Sequence, residues 1–267
     1  MITTIPFKNS HIRIKDEGEG DVVVLLHGYL ESLEIWGGFA KQLAMCHRVI
    51  SIDIPGHGQS GVVSEVHDMS LMASAVDTVL QHLDIDRCVL VGHSMGGYVS
   101  LAYLAGYAGR LAGICLFHSS PFADNDEKKA SRGKEIELVR KGKLILICNT
   151  SIPNGFAKDN LEKMADKVEF AKEIARKTPP EGVIAILEGM RSRPDRQALL
   201  QENSLPVLFI LGKKDNFISF DNLYGTVRSF PHTSVNILEN SGHSGYLEEP
   251  ALSLEYINSF LNTCYSK

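Results

Sequence analysis

Apolar positions along this chain follow two rhythms that alternate. Val22–Leu26, Arg48–Ile54, Cys88–Val91, Leu111–Phe117, Pro206–Leu211 and Ser234–Leu238 are short runs rich in β-branched residues and leucine. That pattern suits strands covered on both faces, as in a parallel sheet. Between the runs, apolar residues return at helical spacing: Ile35, Phe39 and Leu43, then positions 69, 72, 76, 79, 80 and 83. Helical segments also read over Met95 to about Ala105, Val183–Leu200 (broken or kinked at Pro194), Ser219–Phe230 and Leu247–Leu261. Two leading segments, Thr3–Phe7 and His11–Lys15, alternate as hairpin strands do, with turn chemistry after them through Asp21. The prediction is an α/β fold: a mostly parallel, eight-stranded sheet wound with helices. In such sheets reactive groups gather beyond the carboxyl ends of the strands, where His27-Gly28, Asp53–Ser60, Ser94 and His118 fall.

From about Pro121 to Pro180 the alternation stops. Asp124–Lys143 is charged and helical, Leu144–Cys148 is apolar, and Pro153-Asn154-Gly155 turns the chain. Lys158–Lys177 places Leu161, Met164, Ala165, Val168, Ala171, Ile174 and Ala175 on one helical face. This stretch reads as a helical cap over 121–180, inserted in a core made of 1–120 and 181–267. It holds 13 of the 27 Lys and Arg but 10 of the 32 Asp and Glu. Such a basic segment either favours anionic substrates or presents solvated helix faces.

Composition narrows the class. At 267 residues, 44% hydrophobic and 22% charged, the chain is that of an ordinary globule with one large core. A net charge of −5 argues against nucleic acid as the main partner. The N-terminal residues show no secretory pattern, and no apolar run approaches the ~18 residues of a membrane span. The five scattered cysteines read as buried free thiols of a reducing compartment, so the cytoplasm is expected. Without C-x-x-C or H-E-x-x-H, a metal site is not expected.

The most chemically specific stretch is Gly92-His93-Ser94-Met95-Gly96, a G-x-S-x-G between a strand and a helix. Glycines flank a turn that lifts Ser94 above the sheet and aims the next helix N-terminus at the reacting oxygen. A serine nucleophile needs a base, and the base needs a carboxylate, here in the order Ser, Asp/Glu, His. Asp215, past a strand in Gly-x-x-Asp, and His243, in Ser-Gly-His after the last strand, fit that order. Asp124 is an alternative acid, whereas Glu239 lies too close to His243 in sequence. Among the other histidines, His93 sits locked beside the serine, His27 is placed to bond loop backbone, and His57 to brace its Pro-Gly-His-Gly loop. His118 either lines the pocket or is a satisfied buried histidine. The backbone N–H groups of Tyr29 and Met95 are candidates for an oxyanion hole.

His27-Gly28, Asp53-x-Pro-Gly-His-Gly-x-Ser60, Gly92-His-Ser-Met-Gly-Gly97, Gly212-x-x-Asp215 and Gly242-His243 with Glu249-Pro250 together resemble the α/β-hydrolase family. The likeness covers about residues 20–262 and is strongest to the capped, cofactor-free serine esterase branch. Ser94 separates the chain from dehalogenase and epoxide-hydrolase relatives, which carry aspartate there. The resemblance implies hydrolysis of an ester or thioester of a small to medium acyl group, without cofactor or metal, by a monomer or homodimer. Catalytic residues would be Ser94, Asp215 and His243, with His118, Phe122, Ile152, Phe156 and Leu161 as pocket wall. Two other outcomes remain open within the family. One is cleavage of a C–C bond in an anionic ketone, for which Arg191, Arg193 and Arg196 are available. The other is ligand sensing without turnover, since receptor-type members keep the same residues.

Overall fold

The computed structural model describes residues 1–266. Its sheet contains β1 (Ile2–Phe7), β2 (Ser10–Glu17), β3 (Val22–Leu26), β4 (Arg48–Ile52), β5 (Cys88–His93), β6 (Leu111–Phe117), β7 (Val207–Gly212) and β8 (Thr233–Leu238). The spatial order is β1-β2-β4-β3-β5-β6-β7-β8. β2 runs antiparallel to both its neighbours, and every later pairing is parallel. Between β3 and β5 the direction of winding reverses, which opens a crevice beyond their carboxyl ends. The turns after these two strands carry Gly28-Tyr29 and Ser94.

Side chains alternate across the sheet, so the continuous apolar strands feed two cores. Val24, Leu26, Ile50, Leu90 and Ile114 pack on one face with α2 (Met69–His82) and α3 (Met95–Tyr107). Val23, Leu25, Val49, Val91 and Phe117 pack on the other with α1 (Gly37–Leu43) and, from the C-terminal end, Ile257, Phe260 and Leu261. Asp68 caps α2 by accepting from the Leu71 N–H at 2.8 Å.

Between β6 and β7 the chain makes a helical excursion: α4 (Asp126–Arg140), α5 (Leu144–Asn154), α6 (Ala165–Ala175), α7 (Pro180–Ser192) and α8 (Gln197–Glu202). α9 (Phe220–Val227), α10 (Gly245–Glu248) and α11 (Pro250–Tyr265) complete the chain. α7 packs against α4, so the helices of the excursion associate across position 180. The helix expected over 158–177 forms only from Ala165, because the Asn160 amide donates to the Asn240 carbonyl at 2.8 Å and to Glu248 at 2.7 Å. That ties the preceding segment to the core as a single tight turn. Pro153 does not end α5 as expected. It sits in the last turn, where it removes one N–H from the helix ladder, and the chain turns at Gly155. Of the five free cysteines, Cys46 is exposed and the other four are buried.

Candidate active site

Ser94 occupies the junction of β5 and α3 with φ of 49°, a left-handed conformation that costs a non-glycine residue energy. Its surroundings enforce it. A side chain at Gly92 would fall on the Gly96 backbone, and one at Gly96 on the Leu26 carbonyl. The Ser94 N–H donates to the Phe117 carbonyl at 2.9 Å, while its carbonyl accepts from the Ser119 hydroxyl at 2.7 Å. Neither the Met95 N–H nor the Tyr29 N–H donates to a protein acceptor among the described residues. α3 directs its N-terminal partial positive charge toward this turn.

His243 is held at three points. Its Nδ1–H donates to Asp215 Oδ2 at 2.7 Å, its backbone N–H to the Gly155 carbonyl at 2.7 Å, and its carbonyl accepts from His93 Nε2 at 2.8 Å. Asp215 also accepts from the Phe217 and Ile218 N–H groups at 2.8 and 3.0 Å. Burial opposes ionisation of Asp215, but His243, His118 and these donors outweigh it and hold the carboxyl at about 2. With Nδ1 donating, a neutral His243 ring carries its lone pair on Nε2.

Both Ser94 and His243 open onto one cavity of about 310 Å³. Tyr29, Leu30 and Tyr98 contribute from the core, and Phe217 and Ile218 from the loop after β7. The helical excursion supplies Ile152 and Phe156 near the end of α5, Met190 from α7, and Lys128, Ser131, Arg132 and Glu135 from α4. His118, Phe122 and Leu161 lie outside this wall. His118 is fully buried behind the cavity, with Nε2 accepting from the Gly245 N–H at 3.1 Å. The hydrogen must then sit on Nδ1, which faces Asp215 Oδ2 at 3.9 Å. Phe122 packs on the core, and its carbonyl accepts from Arg193 at 3.0 Å.

The remaining histidines are fastenings. His27 donates from Nδ1 to the Gly28 carbonyl at 2.8 Å and accepts at Nε2 from the Ile54 N–H at 3.0 Å. His57 Nε2 accepts from the Leu30 N–H at 3.3 Å, bracing the Tyr29 loop rather than only its own. Burial keeps both rings below the ordinary histidine range. Asp124 is buried against Arg132 and Arg193, 2.7 Å from the latter, and reaches no histidine.

Several residues that the sequence did not single out complete the site. Glu31 accepts from the Gly28 N–H at 2.6 Å, His93 Nδ1 at 3.0 Å and the Tyr246 hydroxyl at 2.7 Å, all buried. Burial disfavours its charge, yet His93, Tyr246 and Gly28 together hold Glu31 at about 2. Burial likewise works against a charged His93, but Glu31 wins and raises it. Glu248 joins the Gly242 N–H, the Ala157 N–H and Asn160 at 2.7–2.8 Å, clamping the loop of His243 to the excursion. A glutamate three residues after His-Gly, or five after Gly-His, was the only local signal available.

Among the described residues no three His, Cys, Asp or Glu are grouped to hold a metal ion, and no helix is long and apolar enough to cross a membrane.

A family model described as alpha/beta hydrolase fold matches residues 21–135. The chain is 30% identical over 235 residues to the dihydrolipoyllysine-residue acetyltransferase component of the acetoin cleaving system of Pseudomonas putida, covering 86% of this chain and 61% of that longer protein. It is 25% identical to the pimeloyl-[acyl-carrier protein] methyl ester esterase of Aeromonas hydrophila, over 94% of this chain and 99% of that one. A thermophilic esterase from Thermogutta terrifontis, solved with malate bound, superposes with a TM-score of 0.94 at 28% identity, and the match covers 100% of both chains. With its sheet order, its strained serine between β5 and α3 and these similarities, the chain has the α/β-hydrolase fold.

Proposed function

We propose that the protein is a serine hydrolase that cleaves a carboxylic ester or thioester of a small to medium acyl group. The observation that carries this reading is the His243 ring, fastened to Asp215 at 2.7 Å through Nδ1 while lining the same cavity as Ser94. That is the arrangement a weak hydroxyl nucleophile requires. In this reading Ser94 Oγ attacks the carbonyl carbon and its proton passes to His243 Nε2. Asp215 fixes the tautomer and stabilises the imidazolium. The Tyr29 and Met95 N–H groups receive the oxyanion, each worth about 2.7–4 kcal/mol if comparable donors are a guide. The C–O or C–S bond then breaks, and the leaving alcohol or thiol takes the proton from Nε2. Water, deprotonated by the same nitrogen, attacks the acyl-enzyme and releases the acid. The helices α4 to α7 form the roof, and the cavity volume limits the acyl group to a modest size.

The deciding experiment measures turnover of p-nitrophenyl butyrate and labelling by a fluorophosphonate, for the native protein and Ser94→Ala. Multiple turnover and labelling that both vanish in the variant are expected. Labelling that survives the substitution would remove Ser94 from its role.

A further inference from the structure

One face of α4 turns four polar side chains into the cavity: Lys128, Ser131, Arg132 and Glu135, spaced i, i+3, i+4 and i+7. Their charges do not balance. Asp124 is wholly buried and shared by Arg132 and Arg193. Arg193 is not part of the cavity lining, lies 3.9 Å over the Tyr98 ring, and donates to the Met190 and Phe122 carbonyls. Arg132 commits Nε to Asp124, with Nη2 at 3.5 Å from the same carboxylate, and its Nη1 has no protein acceptor among the described residues. Lys128 Nζ reaches the Phe217 carbonyl at 3.3 Å but no carboxylate within 4 Å among the described residues. The one acid in this wall, Glu135, accepts from the Tyr29 hydroxyl at 2.9 Å, and burial pushes it toward the neutral form against the pull of Tyr29 and Arg132.

This wall thus presents the free Nη1 of a guanidinium otherwise paired with Asp124, and one exposed ammonium with no carboxylate partner among the described residues. A planar carboxylate matches a guanidinium edge best. The same cavity also has apolar lining from Ile152, Phe156, Met190 and Ile218. We propose that the α4 end of the cavity is a subsite for a carboxylate carried by the substrate, so that the preferred ester is a half-ester of a short dicarboxylic acid. The chemistry in this statement rests on the hydrolase reading above; the binding of a carboxylate does not.

The test compares p-nitrophenyl hemiglutarate with p-nitrophenyl valerate, equal in chain length and differing in the terminal carboxylate. The native protein is expected to favour the hemiester in kcat/KM by about ten- to a hundred-fold, the worth of a hydrogen bond to a charged group. Within Arg132→Gln that ratio is expected to fall toward one, and within the more exposed Lys128→Gln by a few-fold. If Arg132→Gln fails to fold, Lys128→Gln and inhibition of the native protein by glutaramate against valeramide, which lacks the carboxylate, carry the same comparison. Glutaramate should inhibit about ten-fold more strongly. A ratio at or below one, with no preference for glutaramate, overturns the subsite. If no ester is turned over, the hydrolase reading fails on its own. Ser94→Ala then still reports the subsite, through a rise in Tm with glutaramate that valeramide does not produce.

Discussion

Two carboxylate–histidine pairs lie side by side in this molecule, their rings 5.1 Å apart, and they differ in one atom's surroundings. In both, a buried carboxyl held at about 2 faces Nδ1 of a histidine. His243 Nε2 belongs to a ring that lines the cavity, whereas His93 Nε2 is committed to the His243 carbonyl. The first pair is available for proton transfer; the second is a brace that fixes the first and, through Glu31, the Gly28 turn. In the proposed mechanism only the pair whose ring lines the cavity can move a proton to or from substrate.

Substitutions that treat the two pairs alike should separate them. Asp215→Asn is expected to lower kcat for p-nitrophenyl butyrate by about 10⁴-fold, because the amide no longer stabilises the required tautomer and imidazolium. Glu31→Gln should lower it far less, since the amide oxygen still accepts from the Gly28 N–H and the amide NH2 can donate to the Tyr246 hydroxyl oxygen. Equal losses would erase the distinction. Glu31→Ala leaves a buried His93 without its counter-charge, and urea unfolding should show a loss of about 3–5 kcal/mol. A loss below about 1 kcal/mol would show that the brace holds nothing.

Tyr246→Phe removes one hydrogen bond to the Glu31 carboxylate, with an expected cost of about 1.5–3 kcal/mol and little change in kcat. The smallest effect is on pH dependence. Glu31 and Asp215 lie below the ordinary values of about 4.3 and 3.9. Each adds stability that is complete above those values and is lost as pH falls toward 2. His93 is raised above about 6.5, so its share is complete below that value and is lost as pH rises through the raised one. Urea midpoints of the native protein should thus decline on the alkaline side, and Glu31→Gln should lose that decline. An unchanged alkaline limb would separate His93 from Glu31.

Much of this was legible in the chain. The apolar runs from Val22–Leu26 to Pro206–Leu211 named the inner strands, because a strand buried on both faces has few polar positions to disguise it, whereas Ser234–Leu238 forms a partly exposed edge strand. Gly92 and Gly96 marked the turn at Ser94 because no other residue fits there. The order of Ser94, Asp215 and His243 followed from strand ends, and the structure sets the last two 2.7 Å apart. Two loops hid their content. Glu31 looks like any charged loop residue until Trp36 and Tyr246 close over the His93 it pairs with. The pocket expectations were mixed for a similar reason: Ile152 and Phe156 reach the cavity, while His118 is shut behind Asp215.

The helical excursion between β6 and β7 marks the boundary between the two kinds of information. α4 buries only Ile136 and Val139 among its apolar residues, so no stripe in its sequence says which of its many charges face solvent. Composition alone made those charges a solvated surface as readily as a wall. By itself the sequence determined the sheet, its winding and the loop positions of Ser94, Asp215 and His243, since these follow from local periodicity and from glycine sterics. Tertiary structure alone decided which nitrogen of which histidine is free and which face of α4 meets the cavity, because both depend on partners brought in from distant parts of the chain.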